Sequence, residues 1–111
     1  MSQNRKTEFV RSAGGSIASK RILDGTSSLK WAFRDKSVDP ADNGWRFFSA
    51  DDDEDYINNA DHLAICDFNT IAAIEPAIIA IYLFPVGSNL QLVIENGKRF
   101  FIDNNTGRKV D

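Results

Sequence analysis

Apolar and polar positions alternate most cleanly over Leu29–Arg34. Leu29, Trp31 and Phe33 fall on one side, and Lys30, Ala32 and Arg34 on the other. A period of two marks a half-buried strand, so this segment is predicted as a strand with its aromatic side in the core. Trp45–Phe48 repeats the pattern with Trp45 and Phe47 on one face, while Phe48 points the opposite way, toward a helix layer or a partner. His62–Asp67 reads as a strand with Leu63 and Ile65 sharing a face. Ser16–Ser19 reads as a short strand, followed by a helical turn from Lys20 to Leu23 that ends at Asp24-Gly25. Phe9 and Val10 are read as the start of another short strand.

The end of the chain carries the strongest local signal. Leu90–Glu95 and Lys98–Asp103 flank Asn96-Gly97, a two-residue hairpin turn in which both positions accept positive φ. That register sets Glu95 opposite Lys98, Val93 opposite Phe100 and Leu92 opposite Phe101. Helical stretches are short. Asp51 with Glu54 three residues later resembles a capping box, predicting a helix from about Asp52 to Asn58 that turns Tyr56 and Ile57 to the core. Asn69 is read as the cap of a turn running through Ile74, and Pro76 as the start of a new turn. Ala77–Leu83 has almost no polar side and is expected to be buried on most sides. The sum is an α+β domain: a mostly antiparallel sheet with two or three short helices and a C-terminal β-hairpin. Its length of 111 residues suits one domain, with residues 1–7 and 106–111 as polar tails.

Charge sharpens this picture. Residues 1–34 carry +5, residues 35–67 carry −8 and residues 68–111 carry 0. An acidic middle third argues against a nucleic-acid partner gripped there and favours a basic protein partner. The longest apolar stretch, Ile71–Val86, is interrupted by Glu75, Pro76 and Pro85 and falls short of the roughly 20 residues a membrane span needs. A single cysteine, Cys66, excludes an intramolecular disulfide, and the chain is read as cytoplasmic.

Candidate chemistry is sparse. Asp51, Asp53 and Asp55 occupy alternate positions of a calcium-loop pattern, but Tyr56 stands where glycine is needed and His62 where a bidentate glutamate is needed. His62 and Cys66 share a face of the predicted strand yet lie about 13 Å apart at roughly 3.3 Å per residue, beyond hydrogen-bond reach. Gly14-Gly15-Ser16 lacks the following Lys-Ser/Thr of a phosphate loop. No catalytic set, metal site or cofactor is expected.

Several runs resemble the Immunity protein 33 family: Ser19-Lys20-Arg21-Ile22-Leu23, Trp31-Ala32-Phe33-Arg34, Asn43-Gly44-Trp45-Arg46-Phe47-Phe48-Ser49, the acids with Asp55-Tyr56-Ile57-Asn58-Asn59, and Asp67-Phe68-Asn69-Thr70-Ile71-Ala72. Pro85-Val86-Gly87-Ser88 continues the likeness, which spans roughly Gly15 to Ser88. The chain departs from the family pattern at Asn43, where serine is common, and at Ala50, where glycine is common. The resemblance implies an antidote that binds and neutralises a cognate bacterial toxin without catalysis. The expected partner-binding residues are Phe48, Asp51, Asp52, Asp53, Asp55 and Tyr56, the acids for steering and Phe48 or Tyr56 as anchor. The alternative is a small-ligand or regulatory module of the same fold.

Overall fold

A computed structural model describes residues 8–110; the tail expected over residues 1–7 lies outside them. Strands β1 (Gly15–Ser19), β2 (Leu29–Arg34), β3 (Asp42–Ser49), β4 (Leu63–Asp67), β5 (Asn89–Glu95), β6 (Lys98–Asp103) and β7 (Lys109–Val110) form one sheet in the order β4-β1-β3-β2-β5-β6-β7. Only β1 and β3 run parallel; the other neighbours are antiparallel. Helices α1 (Lys20–Leu23), α2 (Glu54–Ile57) and α3 (Phe68–Ile74) are short, and 3-10 turns occupy Ala60–His62 and Pro76–Ile81. The protein is a small α+β domain with a C-terminal hairpin.

One face of the sheet is covered. Ala18, Ala32, Trp45, Phe47, Leu90, Leu92 and Phe101 pack there against Ile22 of α1, Phe68, Ile71 and Ala72 of α3, and Ile78 and Ile81 of the second 3-10 turn. The large rings interlock: Trp45 stacks on Phe47, Phe47 tilts against Phe68, and Phe68 meets Tyr82 edge-on at 4.8 Å. Polar groups at this end are tied to backbone carbonyls. Trp45 Nε1 donates to the Tyr82 carbonyl, Tyr82 Oη donates to the Ala13 carbonyl, and Arg34 Nη1 donates to the carbonyls of Tyr82 and Phe84.

The predicted faces of β2 are reversed. Ala32 is fully buried, while Trp31 and Phe33 face away from the core. Two contacts accompany this. Ala32 lies opposite the fully buried Phe47 on the covered face, and Arg34 must point the same way to reach its carbonyls. A register shift between Leu29 and Trp31 then returns Leu29 to the core side, so strict alternation fails at one residue.

Other boundaries move for local reasons. Phe9 and Val10 form no strand; Asn69, buried in α3, accepts from both of their backbone N–H groups and donates to the Val10 carbonyl. The cap of α3 is therefore Asp67, which accepts from the Asn69 backbone N–H. Ala77–Leu83 is buried on one side only. Ile78 and Ile81, three apart, share a face in 3-10 geometry, while Leu83 is 87% exposed. Residues expected as a polar tail include β7, where Val110 pairs opposite Phe101. The hairpin forms in the expected register, with Asn96 at φ 53° and Gly97 at φ 78°. Gly44 is required by its surroundings: at φ +87° a Cβ there would collide with the Asp35 carbonyl oxygen.

Candidate partner-binding face

The second face of the sheet carries no helix layer among the described residues. Ile17, Trp31, Phe33, Phe48, Gln91 and Ile102 remain half-buried along it. Trp31 and Phe48 are cross-strand partners, and the Phe33 ring lies 5.8 Å from the Phe48 ring. Together these three aromatics line an open groove of about 470 Å³ with Ile57, Asp52, Asp53 and Glu54, and with Asn89 and Asn104. The two asparagines belong to an amide chain: Gln91 Nε2 donates to Asn104 Oδ1, and Asn104 Nδ2 donates to Asn89 Oδ1.

The acidic segment divides into committed and free carboxylates. Asp52 has no exposed side-chain surface. Its Oδ2 accepts from the Ser49 backbone N–H at 2.6 Å and its Oδ1 from Arg21 Nη1 at 3.1 Å. Asp51 is exposed, but its carboxylate accepts from Ser27 Oγ and its carbonyl from Arg21. Because Asp52 is drawn back to Ser49, the first residue able to cap α2 is Asp53, which accepts from the Tyr56 backbone N–H at 2.8 Å. The helix therefore runs over Glu54–Ile57, capped two residues later than the Asp51 box predicts. Asp53, Glu54 and Asp55 are exposed.

Tyr56 is not turned to the core, and neither face of its ring is open. The Arg21 guanidinium lies 3.8 Å from the ring centroid and the His62 ring stacks at 4.0 Å, which sterics allow only on opposite faces. His62 Nδ1 lies 2.8 Å from the Tyr56 carbonyl oxygen. Tyr56 thus serves as the middle of a structural stack rather than as a free anchor. Cys66, on β4, is half-buried.

Beside Phe33 on the open face, Arg46 and Asp42 form a bidentate pair at 2.8 and 2.9 Å. Both side chains are nearly buried. The hydrogen bonds from Arg46, reinforced by the backbone N–H groups of Val38 and Gly44, hold the Asp42 carboxyl far below the usual carboxylate range against the opposing effect of burial. The same pairing raises Arg46. The pair joins two positions of β3 four residues apart, outside the lining of the groove.

The profile of the Immunity protein Imm33 domain matches residues 16–103, more than three-quarters of the chain. The chain belongs to the Imm33 family. The Imm33 match extends beyond Ser88 through both strands of the hairpin, further than the residue likeness alone suggests. No curated protein and no solved structure matches the chain. The two departures from the family pattern have local explanations. Asn43 bridges β1 and β3, accepting from Ser16 Oγ and the Trp45 backbone N–H while donating to the Ala13 carbonyl. Ala50 does not adopt positive φ, so the turn there needs no glycine.

Of the residues singled out from the sequence, Phe48, Asp52 and Asp53 line the Imm33 groove, with the Asp52 carboxylate withdrawn into the fold. Asp51, Asp55 and Tyr56 lie outside its lining. Trp31, Phe33, Glu54, Ile57, Asn89 and Asn104 join it from outside the expected partner-binding set. The signal for Trp31 and Phe33 was Arg34, whose side chain follows the parity of Ala32 into the end of the core.

Proposed function

We propose that this protein is a non-enzymatic immunity protein that binds a cognate, basic bacterial toxin and neutralises it in the cytoplasm. The docking surface is the uncovered sheet face around Trp31, Phe33 and Phe48. Family membership supports the toxin-neutralising role. The observation that carries the surface is the groove itself: three large rings left half-exposed under an acidic rim. Aromatic side chains in a central pocket supply most of the binding energy in protein interfaces, and rim charges mainly accelerate encounter. Asp53, Glu54 and Asp55 supply those charges, with Asp51 beside them and Asp52 holding the segment in place. Phe48 is the anchor, joined by Trp31. The groove is open rather than enclosed, which favours a macromolecule over the small ligand of the alternative reading.

The test begins with the neighbouring reading frame, which should encode a large secreted protein with a toxin-like C-terminal region, and continues with co-expression of that region. The intact chain should rescue growth and co-purify with the toxin. Rescue by the Trp31→Ala/Phe48→Ala double variant at equal abundance would refute the assigned surface. Changing Asp53→Asn, Glu54→Gln and Asp55→Asn together should slow association at low salt and leave dissociation almost unchanged.

A further inference from the structure

The geometry points to a more specific occupant: the groove is a socket for an arginine side chain of the protein partner. This deepens the toxin-binding reading and rests on it only for the source of the arginine. The floor is aromatic, and ring faces attract cations. The protein's own Lys30 already brings its Nζ within 5.3 Å of the Trp31 ring centroid. The rim has acceptor capacity to spare. Asp53 uses Oδ1 to cap α2, leaving Oδ2, and Glu54 is exposed in the first turn beside it.

A few residues away the fold builds the same three-part unit from its own chain. Arg21 lies 3.8 Å over Tyr56 while donating to the Asp52 carboxylate and the Asp51 carbonyl. That unit is complete and closed. The groove holds the ring and the carboxylates of a second unit without the guanidinium. Arginine fits better than lysine because its planar head stacks on a ring while directing several donors at carboxylates in the same plane. Its aliphatic stem matches Ile57 and Phe33 along the lining. Asn89 and Asn104 line the same groove, and their amide chain leaves Asn89 Nδ2 to donate to the backbone beside the arginine. Phosphate-bearing partners are repelled by the same rim.

The experiment compares octa-arginine with octa-lysine peptides by calorimetry against the intact chain at about 0.15 M salt, where long-range attraction is screened. Wild type should bind the arginine peptide about fivefold or more tightly than the lysine peptide. Trp31→Ala should bring that ratio close to one. Asp53→Asn with Glu54→Gln, which keeps a capping side chain at position 53, should weaken both peptides and preserves the fold if the Trp31 variant does not. Equal affinities in wild type, or an arginine preference that survives Trp31→Ala, would overturn the socket. Undiminished toxin capture by Trp31→Ala would also overturn it and leave the toxin reading standing. Failure of wild type to capture the toxin, with the arginine preference intact, would sink the toxin reading and uphold the socket.

Discussion

Trp45 and Trp31 stand on adjacent strands and meet opposite fates. Trp45 is fully buried, stacked on Phe47, with its indole N–H donated to the Tyr82 carbonyl. Trp31 is half-exposed on the other side of the sheet, with Lys30 over its ring. The two residues have the same chemistry, so the difference comes from what each face meets. The covered face has α1, α3 and a 3-10 turn to pack against, and its aromatics stabilise the fold. Among the described residues the open face has no such layer, and its aromatics stay half-exposed. A sheet clothed on one side must leave its other side wet or bind something with it, and polar residues there would have served for wetting alone.

Substitutions separate the two faces. The largest effect is expected on the covered side: Phe47→Ala should cost about 3–5 kcal/mol, since it opens a cavity among Trp45, Phe68 and Ala32. Urea denaturation measures this, and a loss below about 1 kcal/mol would contradict the packing described.

Next comes the Arg46–Asp42 ion pair of β3. Asp42→Ala should cost about 3 kcal/mol, because Arg46 stays nearly buried with Asp35 at 3.8 Å as its remaining acidic neighbour. The pair also confers a pH dependence. The Asp42 carboxyl titrates below its ordinary value of 3.8, so its contribution is complete above that pH and is lost progressively as the pH falls below it. The stability curves of wild type and Asp42→Asn should therefore converge in acid. Parallel curves across the acid range would contradict this.

On the open face the order of effects reverses between stability and binding. Trp31→Ala should change stability by about 1 kcal/mol or less, as a surface site does. It should weaken toxin binding by about 2 kcal/mol, roughly thirtyfold. Equal losses in both measurements would erase the distinction between the faces. The smallest effect is at the rim, where Asp53→Ala removes the cap of α2 at a cost of about 1 kcal/mol and Asp53→Asn costs a few tenths at most. Hydrogen exchange at Tyr56 and Ile57 reports the fraying directly.

Local signals were legible to the extent that the interactions behind them are local. The Asn96-Gly97 hairpin, its register and the Trp45/Phe47 face of β3 follow from φ preferences and the pleat, which neighbouring residues carry within themselves. The tryptophan–glycine run also carried the family likeness, and Gly44 shows why: only glycine tolerates its approach to the Asp35 carbonyl.

What the chain could not announce by pattern was which side of β2 would be covered. Leu29, Trp31 and Phe33 satisfy a core stripe in any reading of alternation, and only the register shift at Leu29, the Phe47 ring opposite Ala32 and the distant carbonyls of Tyr82 and Phe84 turn two of them outward. The cap of α2 moved for a similar reason, since Ser27, twenty-four residues before Asp51, engages the carboxylate expected to cap, and Arg21 with the Ser49 backbone N–H engages that of Asp52. Composition and periodicity thus determined that strands, hairpin and an acidic aromatic segment would exist. The candidate binding groove was decided by tertiary contacts, because a side chain's period places it on a face but only the layers packed in three dimensions determine which face is covered.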